Sequence, residues 1–479
     1  MAVPSFKEIK TPMAYGIRRL SQIGVVLGLM VSVGGCVSSG EGPIGFSILM
    51  PTDGEARALQ QLTTDGQVKI KKPGEIFSGL SDRAERIAQN HAGGICRSSR
   101  MRLNYTADVE TRKFFKDPNE LRKTPFAEIL THKLIVSSSK YFGTGDTKAA
   151  DYAIRIMTGY AQRDYPALFQ DRRYSHTLSS AAQFLFAASI AHTMLLPYEG
   201  YPQTDQELVA DWLKRKALGP HIKYKDKSKW FGHDGVRGQI KTVNVSGYDV
   251  NCCTPAGYES ARLQVDNTLM VASILFHDDA AFASALKGYI DLISTARADG
   301  SLPYQTARGN AALWYQNLGI NVLVMAAEMA ANQGVDLYRY EAPSGATLHT
   351  AIAFLARAMA RPELIFSYAK RNINPWRKGN GIVDPDDHTK QLGQFKIPKL
   401  QRNGASFLAW FEPYQRRFPD HPNIKLMQEI TAKLVDPKSS QSWNKVSLPY
   451  AMHNAKSRGG LFNDYTGTNL SCVFKNLTP

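Results

Sequence analysis

From about residue 120 to about residue 435 the apolar side chains recur three or four positions apart, the period of a helix. In TKAADYAIRIMTGYAQRD (147–164) they gather on one face. In SHTLSSAAQFLFAASIAHTML (175–195) they cover most of the circumference, which predicts an inner helix enclosed by others. TDQELVADWLKRKAL (204–218) opens with Thr204 and Glu207 at the spacing of a capping box. Further helices are predicted at 256–277, 279–298, 307–333, 344–369, 404–416 and 423–435, punctuated by Pro and Gly clusters. Alternating strand patterns are few. About nine or ten helices in succession, with no repeat of fixed length, predict one all-α domain of paired helices over 111–440.

The flanks read differently. Residues 37–110 form a tether and irregular lead-in, rich in Gly, Ser, Pro and Thr near its start, and 441–479 form a tail expected to pack on the domain. Two long segments, 219–255 and 370–403, interrupt the helical plan and read as loops. Both mix basic residues with an aromatic ring: Lys229 beside Trp230 in the first, Trp376 among Lys and Arg in the second. That lining suits a charged sugar chain, since cations take carboxylates and a ring takes the apolar face of a sugar. DPDDH (384–388) lacks the ligand positions of a recognised calcium loop, and no metal site is expected.

The first 36 residues give an address. Arg18 and Arg19 precede an apolar run too short for a typical membrane span, and the run closes on Val33-Gly34-Gly35-Cys36. This resembles the bacterial lipoprotein signal, which implies cleavage before Cys36 and a lipid on that cysteine. Val37, rather than Asp, follows it, so the resemblance points to a periplasm-facing outer-membrane lipoprotein. Loss of residues 1–35 would lower the formal net charge of +16 by three, to +13. A chain this basic suits a polyanion; outside the cytoplasm that means an acidic polysaccharide rather than nucleic acid. Cys96, Cys252, Cys253 and Cys472 would then meet an oxidising compartment and could form two bridges. A bond between the adjacent pair would be strained, which points to one of them bridging to Cys96 or Cys472. They show no paired zinc spacing.

The most informative stretch is ADGSLPYQTARGNAALWYQN (298–317). Arg308 and Tyr315, seven residues apart, fall on one face of a helix about 10 Å apart along its axis, with Trp314 and Asn317 alongside. That is the span of a sugar unit or two. The D-G-x-L-P turn, the R-x(6)-Y helix, the Asn two residues after the Tyr and the apolar helix ending in GVDL resemble the alginate lyase superfamily, including family 5 polysaccharide lyases. The preceding helix (278–300) and VADWLKR (209–215) resemble further blocks of the family. The resemblance implies an incomplete (α/α) toroid with long loops around a cleft. It also implies cleavage of polyuronates by β-elimination, without a cofactor. Arg308 matches the family Arg near the substrate carboxylate, and Tyr315 the catalytic Tyr; Asn317 matches an Asn after that Tyr.

One departure stands out. Where the family carries Asn-Asn-His, counting back from Arg308 reaches Glu259, Ser260 and Ala261. Asn267 is the nearest Asn of that predicted helix, and His233 or His176 would have to supply an imidazole. The site expected from the sequence is therefore Tyr315, Arg308, Asn267, His233 and His176 for the chemistry. Trp314, Asn317, Trp230, Lys229 and Trp376 would hold the polymer. A helical lipoprotein that binds polyuronate during exopolysaccharide export, without cutting it, is the alternative. A glycoside hydrolase would need two carboxylates across a cleft, and Asp299, Glu259 and Asp266 form no such pattern.

Overall fold

The structure is a computed structural model that describes residues 62, 68–77, 124–164, 175–218, 241–245, 248–252, 260–306, 312–361, 363–369, 408, 410–433, 462–463 and 468–469. Four helices form an inner row: α1 (Thr124–Thr144), α3 (Ser175–Leu195), α5 (Ser260–Phe276) and α7 (Ala312–Asn332), with α2 (Thr147–Gln162), α4 (Gln203–Leu213) and α6 (Asp279–Ile293) between them in sequence. Each inner helix packs on the next inner one, while α2 covers α1, α4 lies against α2 and α3, and α6 covers α5. α8 (Leu348–Ala360) extends the row beyond α7; α9 (Glu363–Ala369), α10 (Phe411–Arg417) and α11 (Pro422–Lys433) follow. This is the all-α, incomplete (α/α) toroid that the resemblance implied.

Local chemistry starts several of these helices. The Asp146 carboxylate accepts from the Ala149 N–H at 3.2 Å at the head of α2, and Asp278 accepts from the Ala281 N–H at 2.9 Å at the head of α6. Each satisfies a backbone donor that the first turn leaves without an intrahelical partner. Thr347 and Thr350 cap α8 reciprocally. α7 is buried almost all round, with Leu313, Ile320, Leu323, Val324, Met325 and Met329 inside the core. Its stability comes from burial rather than from an amphipathic face.

Four details depart from the sequence reading. The helix predicted at 344–369 is two helices, Leu348–Ala360 and Glu363–Ala369; the sequence has a proline at 362, a residue type with no N–H to donate and a ring that a continuous helix cannot accommodate without a break. The capping box of Thr204 and Glu207 is absent: Pro202 is the N-cap, without a side-chain bond, and Glu207 instead accepts from Gln203 Nε2 at 2.9 Å. Beyond α4 the chain widens into a π-turn over Lys214–Leu218. Within the predicted loop 219–255, β1 (Lys241–Val245) pairs antiparallel with β2 (Tyr248–Cys252), Val245 opposite Tyr248. The signal was there: Val243 and Val245 alternate with Thr242 and Asn244 before a Ser-Gly pair. A second small hairpin joins β3 (Phe462–Asn463) and β4 (Thr468–Asn469).

Part of the irregular lead-in is structural. Ile70, Ile76 and Phe77 are buried in the core. Gly74 N–H donates to Ile274 O at 2.9 Å, Ile70 N–H to Asp279 Oδ1 at 2.8 Å, and Lys72 N–H to Gln333 Oε1 at 2.8 Å. Asn332 and Gln333 both donate to Glu75 O. Residues 68–77 thus strap together the ends of α5, α6 and α7.

Candidate active site

The segment between α6 and α7 builds the candidate site. After α6 the backbone reverses, with Arg297 N–H bonded to Ser301 O at 2.9 Å and Gly300 N–H to Arg297 O at 2.7 Å. Gly300 has φ +89°, and any side chain there would also collide with the Thr350 carbonyl of α8. Both reasons require glycine. Asp299 Oδ1 accepts from the Ser301 N–H at 2.9 Å and its O–H at 2.7 Å, which closes the turn. Leu302 is buried, and Pro303 opens a single helical turn, Pro303–Thr306, where a missing N–H costs nothing. The D-G-x-L-P signature is therefore the recipe for this reversal.

Two side chains brace it from outside. The Arg297 guanidinium, 4% exposed, donates to Ser301 Oγ at 3.0 Å and Thr306 Oγ1 at 3.1 Å, and lies 4.1 Å from the Tyr368 ring centroid. Tyr368, on α9, donates its O–H to Asp299 Oδ2 at 2.7 Å. Burial, then the Asp299 carboxylate, push the Tyr368 phenol above its ordinary range, so it stays protonated at neutral pH. Asp299 is thus engaged through both oxygens, and Asp266 is buried against α6 at Gly288.

α7 begins beside this turn. Leu302 sits on Gly319, where a Cβ would meet Leu302 Cδ1 at 2.7 Å, so the glycine permits the close approach. Gln316, fully buried, accepts from the Leu302 N–H at 3.0 Å and donates to Gly300 O at 3.2 Å. The next residue, Asn317, is 1% exposed and accepts the Trp410 indole N–H at 2.8 Å through Oδ1. Among the described side chains from Ala312 to Ala330, only Tyr315 is not buried. Two carboxamides thus hold α7 just beyond its first described turn, and half-buried Tyr315 is their immediate neighbour.

The candidates read from sequence fare unequally. Tyr315 is half-buried, at the rim of the core. Asn317 is a bridge between α7 and the start of α10. Asn267 is 2% exposed and donates to Val322 O at 3.0 Å, bridging α5 to the middle of α7. Asn317 Oδ1 and Asn267 Nδ2 thus serve contacts between helices, while Asn267 Oδ1 is buried without a hydrogen-bond partner among the described residues. Arg308, His233, Trp230, Lys229, Trp376 and Cys36 lie outside the described residues; His176 and Trp314 lie in α3 and α7, their side chains outside the description. Gln316, Arg297 and Tyr368 escaped the sequence reading. Gln316 left a trace, as a polar residue within an otherwise apolar helix.

Stacked helix pairs around an inner row, with one phenol at the head of a buried helix, define a helical toroid carrying a turn-and-helix site. A model of the alginate lyase family matches residues 265–365, the span from α5 to the start of α9. A polysaccharide lyase of Stenotrophomonas maltophilia (strain K279a) is 29% identical over 152 residues, 32% of this chain. That match spans only about a third of the relative's own length (36%). Among solved structures, alginate lyase A1-III from Sphingomonas species A1 superposes with a TM-score of 0.53 at 17% identity, over 85% of this chain and 97% of that one. A variant of A1-III complexed with tetrasaccharide gives 0.50 at 18% identity, over 85% and 97%. Identity this low speaks to fold alone. The resemblance to the alginate lyase superfamily thus extends from the turn-and-helix motif to the fold.

Proposed function

We propose that this chain is a polysaccharide lyase that cleaves an acidic polyuronate by β-elimination, with Tyr315 moving the proton and Arg308 facing the substrate carboxylate. The observation that carries the reading is that Tyr315 is the one described side chain between Ala312 and Ala330 of α7 that is not buried. The family match over 265–365 and the polysaccharide lyase relative support it.

The chemistry has a clear demand. Removing the C5 proton of a uronate is hard while its carboxylate is ionised, so a positioned cation must stabilise the charge that develops. A phenolate can then take the proton as the C4–O bond breaks and the C4–C5 double bond forms. The same phenol returns the proton to the departing oxygen. In mannuronate and glucuronate the C5 hydrogen and the C4 oxygen share a ring face, so one tyrosine can serve both steps. Guluronate would need a base opposite. With Glu259, Ser260 and Ala261 in place of Asn-Asn-His, a mannuronate- or glucuronate-type polymer fits this chain best.

Incubation of the purified chain with a panel of polyuronates, followed by the ultraviolet absorbance of new unsaturated ends, tests this. Activity is expected on polymannuronate or glucuronan. Binding without any new unsaturated ends would instead support a polymer-handling role, and a preference for guluronate blocks would overturn the one-tyrosine mechanism. The address is part of the proposal: anchored by a lipid on Cys36, the enzyme would work in the periplasm at the outer membrane. Cys36→Ala should block processing and outer-membrane fractionation; normal fractionation of that variant would sink the lipoprotein reading.

A further inference from the structure

We infer that Gln316 is the positioning residue of the site: its carboxamide locks the Asp299–Pro303 reversal to α7 directly after Tyr315 and so sets where the Tyr315 phenol stands. The inference rests on Tyr315 being the proton-transfer group. Three observations carry it. Gln316 is fully buried and uses both ends of its amide on one short piece of backbone, Leu302 N–H and Gly300 O. Those backbone groups belong to a reversal that is itself over-determined by Gly300, by Asp299, and by the Arg297 and Tyr368 side chains behind it. Gln316 also adjoins Tyr315 in the chain, so whatever fixes its side chain fixes the stretch of α7 backbone that carries the phenol.

The physical logic is that of preorganisation. A proton-transfer group must be held within a fraction of an ångström of its working place, and a misplacement of about 1 Å can cost about 10² in rate. A tyrosine moves with the backbone that carries it. Gln316 couples that backbone to a rigid turn through two hydrogen bonds of opposite polarity. Only a group that donates and accepts at once can make both. A carboxylate at this position would still accept from Leu302 N–H, but would set a negative oxygen against Gly300 O. Protonated, the same carboxyl would regain the donor, and burial together with that carbonyl would raise the pH at which it does so.

The test uses Gln316→Glu and Gln316→Met in the full chain, assayed on whichever polyuronate the wild type cleaves, at a temperature where circular dichroism shows all forms folded. Tyr315→Phe is run in parallel. Gln316→Met is expected to lose turnover by about 10- to 100-fold with KM little changed, because the substrate contacts remain while the phenol is misplaced. Gln316→Glu is expected to lose turnover similarly at neutral pH. Its kcat, taken as a ratio to wild type at each pH, should recover as the pH falls and the carboxyl takes up its proton. A residue that merely stabilised the fold would lower the melting temperature but leave kcat and this ratio flat. That flat result, with Tyr315→Phe inactive, would overturn the positioning role alone. Wild-type turnover in Tyr315→Phe would instead overturn the catalytic reading and this inference with it. If Gln316→Met does not fold, the pH-dependent ratio for Gln316→Glu decides the matter by itself.

Discussion

The two ends of α7 handle polar groups in opposite ways. At the N-terminal end, Gln316 and Asn317 are buried and tied to backbone and indole, and Tyr315 between them and Trp314 stays half-exposed. Toward the C-terminal end Glu328 is 2% exposed and sealed inside the protein. Its carboxylate receives Arg417 Nε and Nη2, each at 2.7 Å, and the Tyr338 O–H at 2.8 Å. Around it Tyr338, His349, Tyr414, Phe418 and His421 pack ring against ring, with the two imidazoles stacked 4.4 Å apart. Asn423 N–H donates to His421 Nδ1 at 3.1 Å, so that nitrogen carries no proton. The charge at this end is matched inside the cluster, which is how a fold uses polar groups for cohesion. The other end uses Gln316 to hold backbone, beside the one described side chain of Ala312–Ala330 that is not buried.

Mutation should separate the two ends by what it damages. The largest effect is expected from Arg417→Met, which leaves the Glu328 carboxylate buried with only a phenol for company. Removing one partner of such a pair costs about 3–5 kcal/mol. Urea unfolding should show that loss, while kcat of the folded protein stays near wild type; a fall in kcat of the folded form would mean the two ends are coupled. Next comes Tyr315→Phe, which keeps the ring and removes the titrating group. Turnover should fall by about 10² or more, the usual scale for general acid–base catalysis, with stability nearly unchanged. Near-normal elimination by this variant would leave the likeness to lyases as one of fold.

Asn317→Leu sharpens the contrast within the N-terminal end. It strands the Trp410 indole N–H, at a cost of about 1–3 kcal/mol of stability. As a bridge rather than a substrate contact, Asn317 should leave KM unchanged; a raised KM would restore it to the binding surface. A further contrast concerns pH. Burial, helped by neighbouring His421, holds His349 down at about 4, below its ordinary 6.5, and burial lowers His421 as well. Below pH 6.5 the unfolded chain takes up protons that folded His349 refuses, so its contribution is intact above 6.5 and is lost as the pH falls toward 4. Urea midpoints between these values should drop less steeply in His349→Gln than in wild type, and parallel slopes would refute the assignment.

How much of this was legible beforehand differs by level. The helices at 147–164, 175–195, 256–277 and 279–298 were readable because burial imposes a period on the sequence itself. Pro362 is a break signal in the sequence itself, although the apolar period runs straight across it. The Thr204–Glu207 pair had the right spacing for a capping box, yet Pro202 starts the helix earlier, so spacing alone misled. In the candidate site the motif pointed to Tyr315. It could not tell that Asn317 and Asn267 face inward, because an amide reads the same in a sequence whether it meets a sugar or a neighbouring helix.

Local features follow from the chain alone: the period of the helices, the glycine that the reversal before Leu302 needs, and the adjacency of Tyr315, Gln316 and Asn317. Those follow from backbone sterics and from which side chains water rejects, and both act over a few residues. Only the tertiary structure decided which polar groups are spent on the fold and which remain for a substrate. Asp299 meets Tyr368 across 69 residues, Asn317 meets Trp410 across 93, and Glu328 meets Arg417 across 89. A hydrogen bond forms with whatever donor the packed chain brings within about 3 Å, and that choice belongs to the arrangement of the helices rather than to any one of them.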